Sequence, residues 1–451
     1  MTVLDFIAFI IYTGLFSFIF SLQRKSFDNA DMRKYHRNAF WIRVFTCFCY
    51  AIFVQYITRG GDTKDLYFPE GYNMFNRIIS GQDNFDMIFG PVENIEPSML
   101  ANPGQMGYLR DPSNLLAIRI TALLCFLCFG KFMVVNLMFA MIAFTGIWKL
   151  YQFFTEQFPD LKKQLAIAIL YLPTFTFWSS GILKDPIAVS ALGWFTYALY
   201  QLAVKKKGLI KNTLIIMLTF YVFSVIKVYI IVAYLPAFAI FLLLKNAQLL
   251  KNPLIKFTMI TGFITASIIG FSALSTQMQT AVVDYAGEDV IEGIAGHQRG
   301  YQNKQQKSDG AYFSLGVEFD GTVTSLLKIA PMAVIATLYR PFLWESRNVS
   351  TLLSSFESLA IMLFTLYVLK RVGLRRFIGT ILKRSIVLYC FFFSITFALF
   401  VGATTLNFGT LVRYKIPCMP FYVASLFLIL YYNTQKTKTV TTPAVAPPSE
   451  V

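Results

Sequence analysis

The sequence predicts an all-α protein, a polytopic transmembrane helical bundle with about 10–13 crossings. Three observations lead there. Hydrophobic residues are 56% of the 451 and charged residues only 14%, against about 25% charged in a soluble domain. Apolar runs near the roughly 20 residues that a spanning helix needs recur along the chain. The lysines and arginines behind the net charge of +16 gather in short stretches between those runs, as the positive-inside rule expects. Forty-six phenylalanines and an aromatic content of 17% suit lipid-facing helices and interfacial belts. The charge is mostly topological, so no nucleic-acid partner is expected. Membrane lipids are, and an anionic lipid-linked substrate would also be drawn by it.

In order along the chain, Val3–Leu22 is the first span. It lacks a basic start and a small-residue cleavage site, so it reads as a retained helix and not as a signal peptide. A basic stretch with Arg24, Lys25, Arg33, Lys34, His36 and Arg37 follows, placed in the cytoplasm, and Phe40–Ile57 is the second span. The polar loop at about 59–113 then lies outside, with an amphipathic stretch near Tyr72–Ile79 expected to lie along the membrane. Leu115–Phe154 is long enough for two helices about Gly130-Lys131. Leu165–Trp178 and Ile187–Val204 flank a charged turn. Lys205, Lys206, Lys207 and Lys211 form an inner basic cluster. Leu214–Ile226 and Val228–Leu244 read as a hairpin with a snorkelling Lys227 at its tip.

Phe257–Leu274 crosses outward into a second long outer loop at about 275–323, also expected to carry interfacial helices. A short apolar piece, Leu326–Leu338, is interrupted by Pro331, and Leu352–Leu369 is a span. Lys370, Arg371, Arg375, Arg376, Lys383 and Arg384 fall inside, Ile386–Ala403 leads out, and Phe421–Tyr432 is the last crossing. The expected organisation is one integral membrane domain over residues 1–435, followed by a disordered cytoplasmic tail over 436–451. Putting every basic cluster inside requires an odd number of crossings in Leu115–Phe154 and a single crossing in Leu326–Leu369. One piece of each then becomes re-entrant or interfacial, which irregular backbone tolerates only against protein or a water-filled cavity. A basic cluster on the unexpected side would resolve the count equally well.

The middle of the chain holds the stretch on which the functional argument turns, Tyr171-Leu-Pro-Thr-Phe-Thr-Phe-Trp-Ser-Ser-Gly-Ile-Leu-Lys-Asp-Pro186. Lys184 and Asp185 sit between two apolar segments with almost no loop to carry them into water. They are either an ordinary turn pair before a helix-starting proline or charges that meet a ligand. On the expected topology other charges collect on the same outer face: Asp62, Asp65, Arg340, Glu345, Arg413 and Lys415. Arginine binds a diphosphate by bidentate contacts and lysine as a point charge. Trp178, Trp344 and Tyr414 offer faces for sugar rings. Asp62 or Asp65 can take a proton from a sugar hydroxyl, yet an aspartate after Gly-Gly is equally a turn or cap residue, and an interfacial arginine or tryptophan is equally an anchor. Cys125 and Cys128 form a Cys-x-x-Cys in a greasy helix without a nearby histidine, and read as buried small hydrophobes.

Four motifs carry a resemblance. They are Gly60-Gly-Asp-Thr-x-x-x-Tyr67, Phe177-Trp-Ser-Ser-Gly-Ile-Leu-Lys-Asp185, Tyr339-Arg-Pro-Phe-x-Trp-Glu345 and Gly409-Thr-x-x-Arg-Tyr-Lys-x-Pro417. Together they resemble bacterial polysaccharide polymerases of the O-antigen type and the related multi-pass GT-C glycosyltransferases. The resemblance implies a polyprenyl-diphosphate-linked oligosaccharide as substrate, with undecaprenyl diphosphate held by outer-loop arginines, here Arg413 and Arg340 with Lys184 as helper. Asp185, Trp344, Glu345 and Tyr414 complete the expected binding set, and Asp62 and Asp65 the catalytic one. It also implies the bacterial cytoplasmic (inner) membrane and other polysaccharide-export proteins as partners. The sequence shows no acidic pair with the spacing that metal-dependent members use, so neither metal nor cofactor is expected. The competing class is a transporter or flippase of lipid-linked glycans, which uses the same cations without making bonds.

Overall fold

A computed structural model describes residues 1–27, 29–58, 60–247, 312–316, 323–346 and 349–440. Among them the chain is helical, with no strand and one isolated bridge between Tyr312 and Asn407. Among the described residues, seven helices are long and apolar enough to cross a membrane, and up to nine spans result if each of two bent helix pairs counts as one. The protein is a multi-pass membrane protein of all-α class. The expected crossing at Phe257–Leu274 and the loop at 275–311 lie outside the described residues. The chain divides into two compact units, the first comprising Met1–Val232 and the second containing the described residues from Ala233 onward.

In the first unit, α1 (Val3–Lys25) starts where Asp5 accepts a hydrogen bond from the Thr2 N–H, and it carries Arg24 and Lys25 in its last turn. Cations at that end complement the helix dipole. α2 (Ala30–Ile52) begins at an Asn29 cap that accepts from the Asp31 N–H, and it continues in wide turns to Ile57. The second crossing therefore begins ten residues before Phe40, and Arg33, Lys34, His36 and Arg37 sit on helix and not in a loop. The Asn29 cap sets that start, ahead of the apolar pattern. α3 (Phe68–Ile79) is the amphipathic helix of the first long loop. α4 (Pro112–Cys128) is capped by Asp111, which accepts from the Ser113 N–H. It ends on left-handed Phe129 and Gly130, which reverse the chain into α5 (Phe132–Thr155).

α6 (Lys162–Leu170) and α7 (Pro173–Trp178) are short, and replace the single segment expected over Leu165–Trp178. Pro173 breaks it, because the residue before a proline is driven out of the helical region. α8 (Lys184–Ala203) and α9 (Leu209–Ile226) follow, and α10 (Val228–Ala247) begins after the single joint residue Lys227. α5 is the buried axis of this unit, packed on α1, α2 and α8. Its approach to α8 depends on glycine: a Cβ on Gly193 would lie 1.8 Å from the Gly146 carbonyl oxygen. Close backbone approach through small residues is how helices associate where lipid removes the hydrophobic drive.

The second unit holds α11 (Val323–Tyr339), α12 (Val349–Val372), α13 (Leu374–Lys383), α14 (Ser385–Thr404), α15 (Phe408–Tyr414) and α16 (Met419–Val440). Its core is aromatic. Tyr234 on α10 packs edge-on against Tyr389 and Phe393 of α14 and against Phe421 of α16. The basic stretch read as a loop near Arg375 is helix α13, which buries Phe377 and Ile381 and exposes Arg375 and Arg376. α15 and α16 meet at 61° about Lys415. α16 runs to Val440, and residues 441–451 of the expected tail lie outside the described residues.

Candidate functional site

The first unit gathers two of the four motifs. The loop Ser179–Leu183 between α7 and α8 is buried, and an irregular buried loop must find partners for its backbone. Side chains from three other elements supply them. Asn136 of α5 accepts from the Ile182 N–H at 3.0 Å, and Thr63 donates to the Ile182 carbonyl at 2.7 Å. Tyr50 of α2 bonds Thr63 at 2.8 Å. Its ring fills the space beside Gly181, where a Cβ would lie 1.9 Å from the ring. The Gly-Gly-Asp-Thr motif thus meets the Ser-Ser-Gly-Ile-Leu-Lys-Asp motif although about 120 residues separate them.

Arg43, wholly buried on α2, closes the other side of this loop. Its Nη1 donates to the carbonyls of Thr176 at 3.2 Å and Ser179 at 3.4 Å, and to the hydroxyls of Ser179 and Ser180. The face of Phe175 lies 5.4 Å from the guanidinium. These carbonyls end α7, so the cation sits at the negative end of a helix and satisfies groups that the helix leaves open. Sequence reasoning passed over Arg43. The available signal was an arginine inside the apolar run Phe40–Ile57, since a cation within a span faces the bundle interior or a cavity.

The predicted first-unit residues are placed as follows. Lys184 is half-buried and donates to the Ser113 hydroxyl at 2.8 Å, which donates in turn to Asp111 at 2.6 Å. Asp185 is 1% exposed and pairs with Lys227, itself 5% exposed, so Lys227 is a buried ion-pair partner and does not snorkel. Asp62 is half-buried at the start of the turn Thr63–Tyr67 and makes no side-chain cap bond there. Asp65 is exposed and accepts from the Gly61 N–H at 2.7 Å, closing the turn it belongs to. Nearby in the chain, buried Glu70 accepts from the backbone N–H groups of Ala101 and Asn102 at 3.0 and 2.9 Å. Burial pushes its carboxyl pKa up, against the downward pull of those two bonds.

The second unit gathers the other two motifs. Arg340 and Glu345 form an ion pair in which Nε reaches both carboxylate oxygens at 3.0 and 3.1 Å. The guanidinium lies 4.3 Å from the face of Phe313 and 5.2 Å from that of Phe408, and these two rings are stacked. Glu345 also accepts from the Phe342 N–H at 2.9 Å. Lys415 is buried at the bend between α15 and α16, and donates to the Arg340 carbonyl and the Ser358 hydroxyl, each at 3.0 Å. That contact ties the Arg-Tyr-Lys motif to the Tyr-Arg-Pro-Phe-x-Trp-Glu motif across 75 residues. Arg413 and Tyr414 are half-buried on α15, with the guanidinium 6.0 Å from the Tyr414 ring. Trp344 is 80% exposed and stacks on Phe342.

Chemically, the second-unit cluster pairs fixed cations with an open indole face. In the sequence Lys415 is only one member of a motif, and its buried anchoring role emerges from the packing. Among the described residues, no group of three or more His, Cys, Asp or Glu could hold a metal ion. The chain matches no family model, no curated protein and no solved structure.

Proposed function

We propose that this protein is a membrane glycosyltransferase of the polymerase type, joining glycan units carried on a polyprenyl diphosphate at the outer face of the bacterial cytoplasmic membrane. The observation that carries the reading is the Lys415 contact, which brings two motifs distant in the chain onto adjoining elements of one unit. Arg340 and Arg413 then serve the leaving side of the reaction. The acceptor hydroxyl oxygen bonds to the anomeric carbon as the bond from that carbon to the diphosphate breaks, the hydroxyl proton passes to water, and the departing charge needs cations already in place. Trp344 presents a rigid ring face beside them for the sugar. Glu345 holds Arg340 until a diphosphate competes for the same donors.

The test is glycan chain length in cells carrying Arg413→Ala. The reading predicts a collapse to single or few repeat units with the protein still present in the membrane. Unchanged chain length would count against it.

A further inference from the structure

The junction between α1 and α2 carries a feature that the glycan reading does not use. Arg24, Lys25, Ala30, Arg33, Lys34 and Arg37 line one open cleft of about 390 Å³. Five cations from two helices therefore face a single concavity. The stretch from Arg24 to Arg37 contains only two acids, Asp28 and Asp31. Topology alone asks for positive charge near such a junction, but not for its concentration in one hollow. Arg33 moreover closes the first turn of α2, where the helix field is positive and disfavours a cation. A second observation points to a ligand: Nη1 of Arg24 is buried and has no hydrogen-bond partner. A buried donor left open costs free energy that an acceptor in the cleft would recover.

We propose that this cleft seats the phosphate of an anionic lipid headgroup, in the leaflet where α1 ends and α2 begins. The lipid source is favoured over a free anion by what adjoins the cleft. The preceding turns of α1 expose Phe18, Ile19 and Leu22, and α2 exposes Trp41 and Phe45. Acyl chains attached to a bound headgroup would lie along that apolar surface. The inference stands apart from the glycosyltransferase reading, because it concerns other residues and another ligand.

The experiment uses the purified full-length chain in a neutral detergent. Short-chain phosphatidylglycerol, phosphatidylcholine and inorganic phosphate are titrated separately and followed by tryptophan fluorescence. Saturable binding of phosphatidylglycerol is expected, with the other two much weaker. Each cation at an anionic surface is worth roughly fivefold in affinity. Arg24→Gln/Arg37→Gln should therefore weaken binding on the order of 25-fold. Arg33→Gln/Lys34→Gln, at two exposed positions, should do the same. Lys205→Gln/Lys207→Gln removes equal charge from a different basic turn and should leave binding unchanged. Equal loss in that control would overturn the cleft as the site. Inorganic phosphate binding as tightly as the lipid would overturn the headgroup assignment, and retained binding in both cleft variants would overturn the proposal.

Discussion

The Asp185–Lys227 pair allows the sharpest calculation. Its side chains are 1% and 5% exposed, so neither charge can turn to water when its partner is removed. Losing one member of a buried pair costs about 3–5 kcal/mol, because the other remains desolvated. The two deletions are not equivalent. Asp185 lies in the first turn of α8, whose positive end would still favour a lone carboxylate by about 0.3–2 kcal/mol. The ammonium of Lys227 at the α9–α10 joint lies 6.0 Å from the Tyr229 ring, where the attraction is near its limit. Lys227→Met should therefore cost nearer 3 kcal/mol and Asp185→Asn nearer 5, both about. Removing both leaves no stranded charge, so the double variant should be less destabilised than either single variant. The assay is reversible unfolding in mixed micelles with increasing dodecyl sulfate, followed by circular dichroism. Additivity within about 0.5 kcal/mol would show that the two side chains do not act as a buried pair.

Further outcomes follow from the same structure. Arg43→Met opens the carbonyls of Thr176 and Ser179 and should lower unfolding stability by about 3 kcal/mol or more, with Arg43→Lys failing to rescue because an ammonium lacks the guanidinium fork; equal stability of the lysine variant would show that only charge is needed. Gly193→Ala forces α5 and α8 apart and should cost at least about 1–3 kcal/mol in the same unfolding assay, whereas Gly14→Ala, with open space around its Cβ, should be silent. Glu70 has a folded pKa raised above its ordinary value near 4.5. The folded state then holds the proton more tightly than the unfolded state, so this group's contribution is full at low pH and is lost as pH rises through the raised value. Glu70→Gln should remove that slope, and an unchanged pH profile would contradict it.

Much of the fold was legible because lipid imposes a coarse rule on composition. Val3–Leu22, Leu352–Leu369 and Ile386–Ala403 each fall within one observed helix, since a long apolar run has few other fates in a membrane. Helix ends were less legible. α2 starts at its Asn29 cap and carries basic residues that an apolar count excludes, and α13 hides a buried Phe377 and Ile381 among arginines. The stretch Tyr171–Pro186 was rightly singled out as a break between apolar segments, but the partners that hold it were not visible. Arg43, Asn136 and Thr63 come from elements far away in the chain, and their contacts with residues 176–182 depend on packing that no local pattern encodes. Lys227 illustrates the same limit. A lysine at a helix joint has two fates, and only the position of Asp185 decides between them.

A glycosyltransferase of this kind makes a bond on a lipid-linked glycan. The most direct measurement of that step is release of free polyprenyl diphosphate when the purified protein, in liposomes, is given a lipid-linked repeat unit. Stoichiometric release with growth of the glycan is expected, lost in Arg413→Ala while the protein stays folded. Movement of intact lipid-linked glycan across the bilayer without release would contradict bond-making and assign the protein to transport.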